Sequence, residues 1–298
     1  MVAVFTAQAF SLMTQPRRFK DTLKQSALLL AKKYRNATPF FLFPSEVLQH
    51  QCQDKWGKIQ VIDHEGQRVL SFNSVYEQSR MDLYAPNELV HDYTRAMLLG
   101  IAFSQPAHIT LLGLGGGCLL RAAHLIDARF QIQVVELRAA VVEIAHDYFG
   151  LPQASNIQIT VEDGRHYMTQ QADASTDLIV ADMYHSLRAD PYQMQKKFFQ
   201  ESHRVLSDNG WLVINCHEAP AVDSPFLRFM KSYFPDIRAC YVPGGNVVFY
   251  AGKSGLQMPQ ERIPLEIELF EMKIRTKLSF LLANIQPITH APVCEKVA

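Results

Sequence analysis

The chain has no net charge and too few cysteines for a disulfide-stapled fold. Lysine plus arginine and aspartate plus glutamate each number 29 in 298 residues, so no global field draws in nucleic acid or an anionic membrane, and neither partner is expected. The five cysteines, Cys52, Cys118, Cys216, Cys240 and Cys294, are odd in number, widely spaced and form no C-x-x-C pair. That pattern argues against a disulfide framework or a zinc site, and no bound metal is expected. No apolar run approaches the roughly 20 residues that a membrane span requires. The opening residues, Met1 to Ala9, include a short apolar stretch, but no lysine or arginine precedes it, which speaks against a secretory signal. Repeats and low-complexity segments are absent as well. A cytoplasmic protein with reduced thiols is expected. The 48% hydrophobic content allows a full-sized core in one large domain with a small appendage.

The most informative stretch runs from Thr110 to Cys118, Thr-Leu-Leu-Gly-Leu-Gly-Gly-Gly-Cys, followed by Val134-Val-Glu136. It reads as a strand, a glycine turn opening a helix at Leu119 to Ile126, and a second strand ending in a carboxylate: a nucleotide-binding βαβ unit. Glycines at 113, 115, 116 and 117 let the backbone turn sharply and approach a ligand where a Cβ would intrude. Glu136, at the carboxyl end of its strand, can accept both hydrogen bonds of a ribose diol. The dinucleotide fingerprint needs glycine or alanine at the position held by Cys118, so NAD and FAD are disfavoured. Gly113-x-Gly115-x-Gly117 suits a nucleoside without a pyrophosphate, of which S-adenosylmethionine is the common case.

Three regions are expected. Residues 1–85 hold an amphipathic helix over 18–34 and a small β domain, in which alternating apolar residues between Lys55 and Phe72 flank His64-Glu-Gly-Gln67 as a hairpin. Residues 86–253 form the main α/β domain. A helix from Glu88 to Ala102 leads into strands near 109–113, 132–136, 157–161, 177–182, 211–216, 237–242 and 246–251, the last two joined by Gly244-Gly245. Strands alternating with helices imply a mostly parallel seven-stranded sheet covered on both faces, with an antiparallel edge strand. Residues 254–298 form a proline-punctuated tail with one helix, Leu265 to Leu282, packed on the surface or on a partner subunit.

Gly113 to Arg121, Val134-Val-Glu136-Leu, Val161-Glu-Asp-Gly164, Asp177-Leu-Ile-Val-Ala-Asp182 and Leu206-Ser-Asp-Asn-Gly-Trp-Leu212 together resemble the spermidine synthase family. The likeness extends upstream through Trp56 to Val61, Gln78-Ser-Arg-Met81 and Tyr93-Thr-Arg-Ala-Met97, covering roughly residues 50 to 252. It implies a class I methyltransferase-like Rossmann fold, a small-molecule acceptor with an amine as the candidate, and a homodimer. It also implies S-adenosylmethionine or decarboxylated S-adenosylmethionine as cofactor, with Gly113, Gly115 and Gly117 on the methionine side, Glu136 on the ribose, and Asp163 with Gly164 at the adenine edge.

Asp182 and Tyr93 are the implied catalytic pair. Asp182 ends the fourth strand, at the mouth where open α/β sheets bind ligands. Alkyl transfer from a sulfonium needs a lone pair, whereas an aliphatic amine with a pKa near 10.4 is mostly protonated at neutral pH. A carboxylate attracts the ammonium and can take its proton. Gln78, Arg95, Tyr184 and His185 are candidates for the acceptor pocket, and Tyr192 and His217-Glu218 lie on loops at the same sheet edge.

Several positions depart from the family pattern: Gly116 stands for an aspartate, His185 for the second aspartate of D-x-x-D, Tyr93-Thr94-Arg95 for Tyr-His-Glu or Tyr-Gln-Glu, and Trp56-Gly57 for Tyr-Gln. A putrescine-sized dication needs carboxylates at both ends, because burying an ammonium unpaired costs several kcal/mol. The leading expectation is therefore a spermidine synthase-like transferase moving a methyl or aminopropyl group to an acceptor other than plain putrescine. A polyamine aminopropyltransferase drawing acidic groups from Glu218, Asp190 or Glu162, and a non-catalytic nucleoside-binding regulatory or scaffold protein, are the alternatives.

Overall fold

The computed structural model describes residues 46–73, 76–185, 188–256 and 258–288. The expected helix over 18–34 and Cys294 lie outside them. The small domain is an antiparallel meander of β1 (Val47–Asp54), β2 (Gly57–His64), β3 (Gln67–Phe72) and β4 (Tyr76–Asp82). The expected β2–β3 hairpin is present, with Glu65 at φ 48° and Gly66 at φ 78°. This is the left-handed conformation that two-residue hairpin turns require. The sheet has four strands rather than two. β1 and β4, rich in glutamine and charge, carry little apolar alternation to mark them as strands.

The large sheet contains β5 (His108–Leu112), β6 (Gln131–Glu136), β7 (Ile157–Val161), β8 (Thr176–Ala181), β11 (Leu206–Cys216), β12 (Asp236–Tyr241), β13 (Val247–Gly252) and β14 (Ile285–Pro287). β9 (Tyr184–His185) and β10 (Arg188–Ala189) form a separate two-residue pair. The sheet order is β14-β12-β13-β11-β8-β5-β6-β7. β7, β6, β5, β8 and β11 run parallel, β13 is antiparallel to both β11 and β12, and β14 is antiparallel to β12 at the outer edge. All seven expected strands form. β14 makes the sheet eight-stranded; its Ile-Gln-Pro is too short to show a period.

Helices cover both faces: α1 (Asp92–Leu98), α2 (Gly100–Ser104), α3 (Cys118–Ile126) and α8 (Ile263–Ile274) contribute to one core, α6 (Lys196–Val205) and α7 (Pro225–Tyr233) to the other. α4 (Ala139–Phe149) and α5 (Gly164–Gln170) follow β6 and β7. The helix expected from Glu88 starts at Asp92, because Leu89 bridges to Met81 and donates its amide to Thr276 Oγ1 at 3.0 Å. Four cysteines, Cys52, Cys118, Cys216 and Cys240, are free thiols.

The two sheets are joined through α4. Ile59, Val61, Leu70, Phe72 and Met81 of the meander pack against Val141, Ile144 and Phe149. Arg138, just before α4 and buried, donates from Nε and Nη2 to the two carboxylate oxygens of Asp54, both at 2.9 Å, and from Nη2 to the Gly57 carbonyl at 3.0 Å. Its guanidinium lies 4.3 Å from the Phe72 ring centroid, within cation–π range.

The expected tail helix ends at Ile274, earlier than Leu282, because Arg275 turns left-handed at φ 55° and a 3₁₀ turn, Ser279–Asn284, follows. Glu271 holds that junction: its Oε1 accepts the amides of Leu278 and Ser279, each at 2.7 Å, and Oε2 pairs with Lys277 at 2.8 Å. Burial opposes ionisation of Glu271, but these bonds outweigh it and bring the pKa to about 2 from an ordinary 4.5. A depressed carboxylate stabilises the fold above its unfolded pKa and loses that contribution as pH falls through the folded value. Between pH 4.5 and about 2, the melting temperature of Glu271→Gln should therefore fall less steeply than that of the wild type. Parallel slopes would contradict this role.

Candidate active site

One cavity opens at the carboxyl ends of β5, β6 and β8, and β4 with the start of α1 walls its other side. In open α/β sheets this is where ligands bind. The chain reaches it through the glycine turn after β5. Gly113, at φ 100°, has no room for a side chain: a Cβ would lie 2.4 Å from the Asp182 carbonyl oxygen. Gly113→Ala thus carries about 1–3 kcal/mol of backbone strain before the clash with the end of β8 is counted. Urea unfolding should show a loss at least that large, and unchanged stability would refute the close approach.

Gly113 and Gly115 line the cavity; Gly117 does not. Gly117 stands at the start of α3 with φ 70°, and a Cβ there would come within 2.0 Å of Leu151 Cδ2. Its role is packing, which the glycine spacing alone does not distinguish from ligand contact.

Glu136 faces the cavity with both oxygens held by backbone amides, Oε2 by Leu114 at 3.0 Å and Oε1 by Arg138 at 2.9 Å. Burial raises its pKa against the pull of those amides and of the Arg138 charge, since a desolvated carboxyl resists ionisation. Each oxygen keeps a second lone pair for a ligand hydroxyl. After β7, Asp163 caps α5, its Oδ1 accepting the amides of Arg165 at 2.8 Å and His166 at 3.4 Å, as an N-cap carboxylate does. Asp163 and Gly164 both line the cavity, and a Cβ on Gly164 would meet Met183 Sδ at 2.9 Å.

Asp182 occupies the end of β8. Its Oδ1 accepts from Asn215 Nδ2 at 2.9 Å, and Asn215 is itself oriented by Asn246, which donates to Asn215 Oδ1 at 2.9 Å. Burial raises the Asp182 pKa, opposed by the Asn215 hydrogen bond and by His217 and His91. Tyr93 is held as a neutral phenol, because burial and the neighbouring Asp182 charge push its pKa well above 10. Tyr184 donates to the Asn215 carbonyl at 3.0 Å and meets His217 edge-on at 4.4 Å. The cavity therefore presents a carboxylate fixed by an asparagine relay beside two phenols.

Gln78 also lines the cavity, whereas Arg95 does not. Arg95 donates from Nε to the Leu89 carbonyl at 2.8 Å and pairs through Nη1 with Asp92 at 2.9 Å. That is the ordinary i,i+3 arrangement of a helix arginine. Tyr192 is likewise withdrawn: it is buried against Phe198, with the Arg165 guanidinium 5.1 Å from its ring centroid. The His185 backbone belongs to β9, and its side chain lies outside the described part of the structure. Glu218 is exposed, while Asp190 and Glu162 line the cavity.

Sequence reasoning missed Glu77 and His91. His91 Nε2 lies 2.7 Å from Glu77 Oε1, and the His91 ring stacks on Tyr93 at 5.4 Å. Arg80 grips the same carboxylate, with Nε at 2.7 Å from Oε1. Burial works against the Glu77 charge, yet His91 and Arg80 bring its pKa to about 2. The two residues lie on separate segments, Glu77 in β4 and His91 just before α1, so no local motif announces the pair.

A methyltransferase domain model matches residues 111–214. The polyamine aminopropyltransferase of Neisseria meningitidis is 32% identical over 202 residues, which cover 65% of this chain and 75% of that one. The chain belongs to the polyamine aminopropyltransferase family. A spermidine synthase solved in complex with the transition-state analogue AdoDATO superposes with a TM-score of 0.65 at 16% identity, covering 80% of this chain and 84% of its own. The Thermotoga maritima spermidine synthase gives 0.62 at 16% identity, with coverages of 80% and 83%. At these identities the structural likeness speaks for the fold, that of class I methyltransferases. Membership makes the chain a transferase, and its departures from the family pattern acquire physical form here. A Cβ at Gly116, where the family carries aspartate, would meet Phe149 Cδ1 at 2.8 Å and Ser79 Cβ at 3.1 Å.

Proposed function

We propose that the cavity binds an S-adenosyl donor and that the enzyme moves an alkyl group from its sulfonium to a small amine held at Asp182. The observation that carries this reading is the placement of Glu136 and Asp182 on one cavity, at the ends of the two strands flanking β5. Glu136 takes the ribose diol, Gly113 and Gly115 pass the methionine portion, and the Asp163 carboxylate takes the exocyclic amine of adenine. Asp182 receives the acceptor ammonium and its proton, while the Tyr93 and Tyr184 phenols bound the approach. As the nucleophile attacks, the carbon–sulfur bond breaks, sulfur keeps the electron pair, and a neutral thioether leaves.

A diamine acceptor is the second reading, supported by Asp190 and Glu162 on the cavity wall. We further propose that the protein is cytoplasmic and homodimeric; family membership supports both. No helix among the described residues is long and apolar enough to cross a membrane.

Incubating the protein with donor and a panel of mono- and diamines, and following release of the thioether nucleoside, tests the proposal. Asp182→Asn should lower turnover about 10²–10⁴-fold, the range for a lost acid–base group, while leaving donor affinity nearly intact. Full turnover by that variant would exclude Asp182 as the proton acceptor.

A further inference from the structure

The proton that an acceptor ammonium must lose has a second place to go in this cavity. Glu77 projects from β4 with both carboxylate oxygens engaged: Arg80 Nε meets Oε1 at 2.7 Å, Arg80 Nη2 meets Oε2, and His91 Nε2 meets Oε1 at 2.7 Å. Arg80 is steadied in turn by Gln67, to whose Oε1 it donates from Nη1 at 2.7 Å. These partners keep Glu77 ionised, so its carboxylate only accepts, and the His91 nitrogen facing it carries a hydrogen. In the neutral imidazole the other nitrogen, Nδ1, then holds the lone pair. A carboxylate that orients an imidazole in this way also stabilises the imidazolium that forms when a proton is taken up.

His91 is placed to use that lone pair. It lines the cavity together with Tyr93 and Asp182, its ring stacks on the Tyr93 ring at 5.4 Å, and its charge, when protonated, bears on the Asp182 carboxylate. Its backbone is fixed as well, the His91 carbonyl accepting Thr94 Oγ1 at 2.7 Å and the Arg95 amide at 3.2 Å. The His91 side chain is 29% exposed, so a proton it holds can leave to water. Asp182 alone serves the reaction poorly. Once it keeps the ammonium proton it is neutral, yet the attacking nitrogen becomes cationic again as the new carbon–nitrogen bond forms. A carboxylate still ionised at that moment stabilises the developing charge.

We propose that His91, oriented by Glu77, is the final acceptor of the ammonium proton, and that Asp182 passes the proton on to it and stays ionised during transfer. The proposal rests on the transfer reading above. The acceptor ammonium gives up one proton, which ends on His91 Nδ1. The freed nitrogen lone pair forms the bond to the sulfonium carbon, the carbon–sulfur bond breaks with its electrons going to sulfur, and the product is a substituted ammonium beside the Asp182 anion. The imidazolium then returns its proton to water. Glu77 is a positioning residue in this scheme.

Two measurements on the full chain test it. Nitrogen NMR of isotopically labelled histidine should show neutral His91 protonated at Nε2 in the wild type and a mixture of tautomers in Glu77→Gln; a wild-type ring protonated at Nδ1 overturns the proposal. Turnover is then followed with S-adenosylmethionine and its decarboxylated form against butylamine and putrescine. His91→Gln can still donate to Glu77 but cannot take up a proton, and it should lower kcat about 100-fold, the low end for a lost acid–base group, while methylthioadenosine affinity by calorimetry holds. His91→Ala should be as slow, and added imidazole should restore turnover in it. Should His91→Ala fail to fold, His91→Gln carries the comparison. Wild-type turnover in the folded variants overturns the inference, and so does a loss that imidazole leaves unmoved in folded His91→Ala, as a merely structural role would give. If the wild type turns over neither amine while methylthioadenosine binds, the transfer reading fails and takes the inference with it, and the donor site stands.

Discussion

Glu136→Ala should weaken methylthioadenosine binding by at least about 100-fold. On the proposed donor reading a ribose diol donates two hydrogen bonds to this carboxylate, and bonds to a charged group contribute about 1.5–3 kcal/mol each, so their joint loss exceeds the roughly 2.7 kcal/mol that a hundredfold represents. The carboxylate is also prepared for that contact. Leu114 and Arg138 amides fix both oxygens, so no rotamer has to be ordered on binding. Glu136→Gln keeps one acceptor oxygen and should fall between the two. Calorimetry on the three proteins is the check; an affinity of Glu136→Ala within about threefold of wild type, under about 1 kcal/mol, would show that the ribose lies elsewhere.

The second large effect concerns stability. Asp54→Ala removes the only carboxylate on Arg138 among the described residues, stranding a guanidinium that is 6% exposed between the two sheets. Breaking a buried pair from one side costs about 3–5 kcal/mol, discounted toward the lower end here because the Asp54 side chain is 23% exposed. For a chain of this size each kcal/mol lowers the melting temperature by roughly 2–4 °C, so a drop of roughly 6–12 °C is expected. Pairing the change with Arg138→Met removes the stranded charge, and the double variant should be more stable than Asp54→Ala alone. A double variant no better than the single one would mean that Arg138 acts through its Gly57 and Phe72 contacts instead.

Much of the fold was written in local pattern. β5, β8 and the Trp211 to Ile214 half of β11 are largely apolar runs, the signature of strands buried on both faces. The Gly244-Gly245 turn marked the β12–β13 hairpin, and both glycines take positive φ, a conformation that suits the residue in such turns. Where pattern was weak, the outcome depended on tertiary partners. The glutamine-rich β1 and the charge-rich β4 are strands defined by pairing with β2 and β3, and β14 is a strand only because β12 offers it an edge.

The site divides the same way. Glu136, Asp163 and Asp182 follow strand ends, and their position in the sequence was enough to bring them to one cavity. Gly117 and Arg95 failed as cavity residues for reasons visible only in three dimensions: Leu151 fills the space beside the first, and Asp92 with the Leu89 carbonyl draws the second away. Glu77, His91 and the asparagines 215 and 246 come from four separate segments. Each is unremarked in sequence: the Glu77–His91 pair joins β4 to the segment before α1, the Asn215–Asn246 bond joins β11 to the β12–β13 turn, and both form only in the folded chain.

A crystal structure of the protein grown with saturating methylthioadenosine tests the central claim most directly. The account predicts the nucleoside in the cavity at the ends of β5, β6 and β8, with both ribose hydroxyls within hydrogen-bond distance of the Glu136 carboxylate and the sulfur directed toward Asp182. A nucleoside seated elsewhere, or an empty cavity at a concentration where calorimetry shows binding, would contradict it.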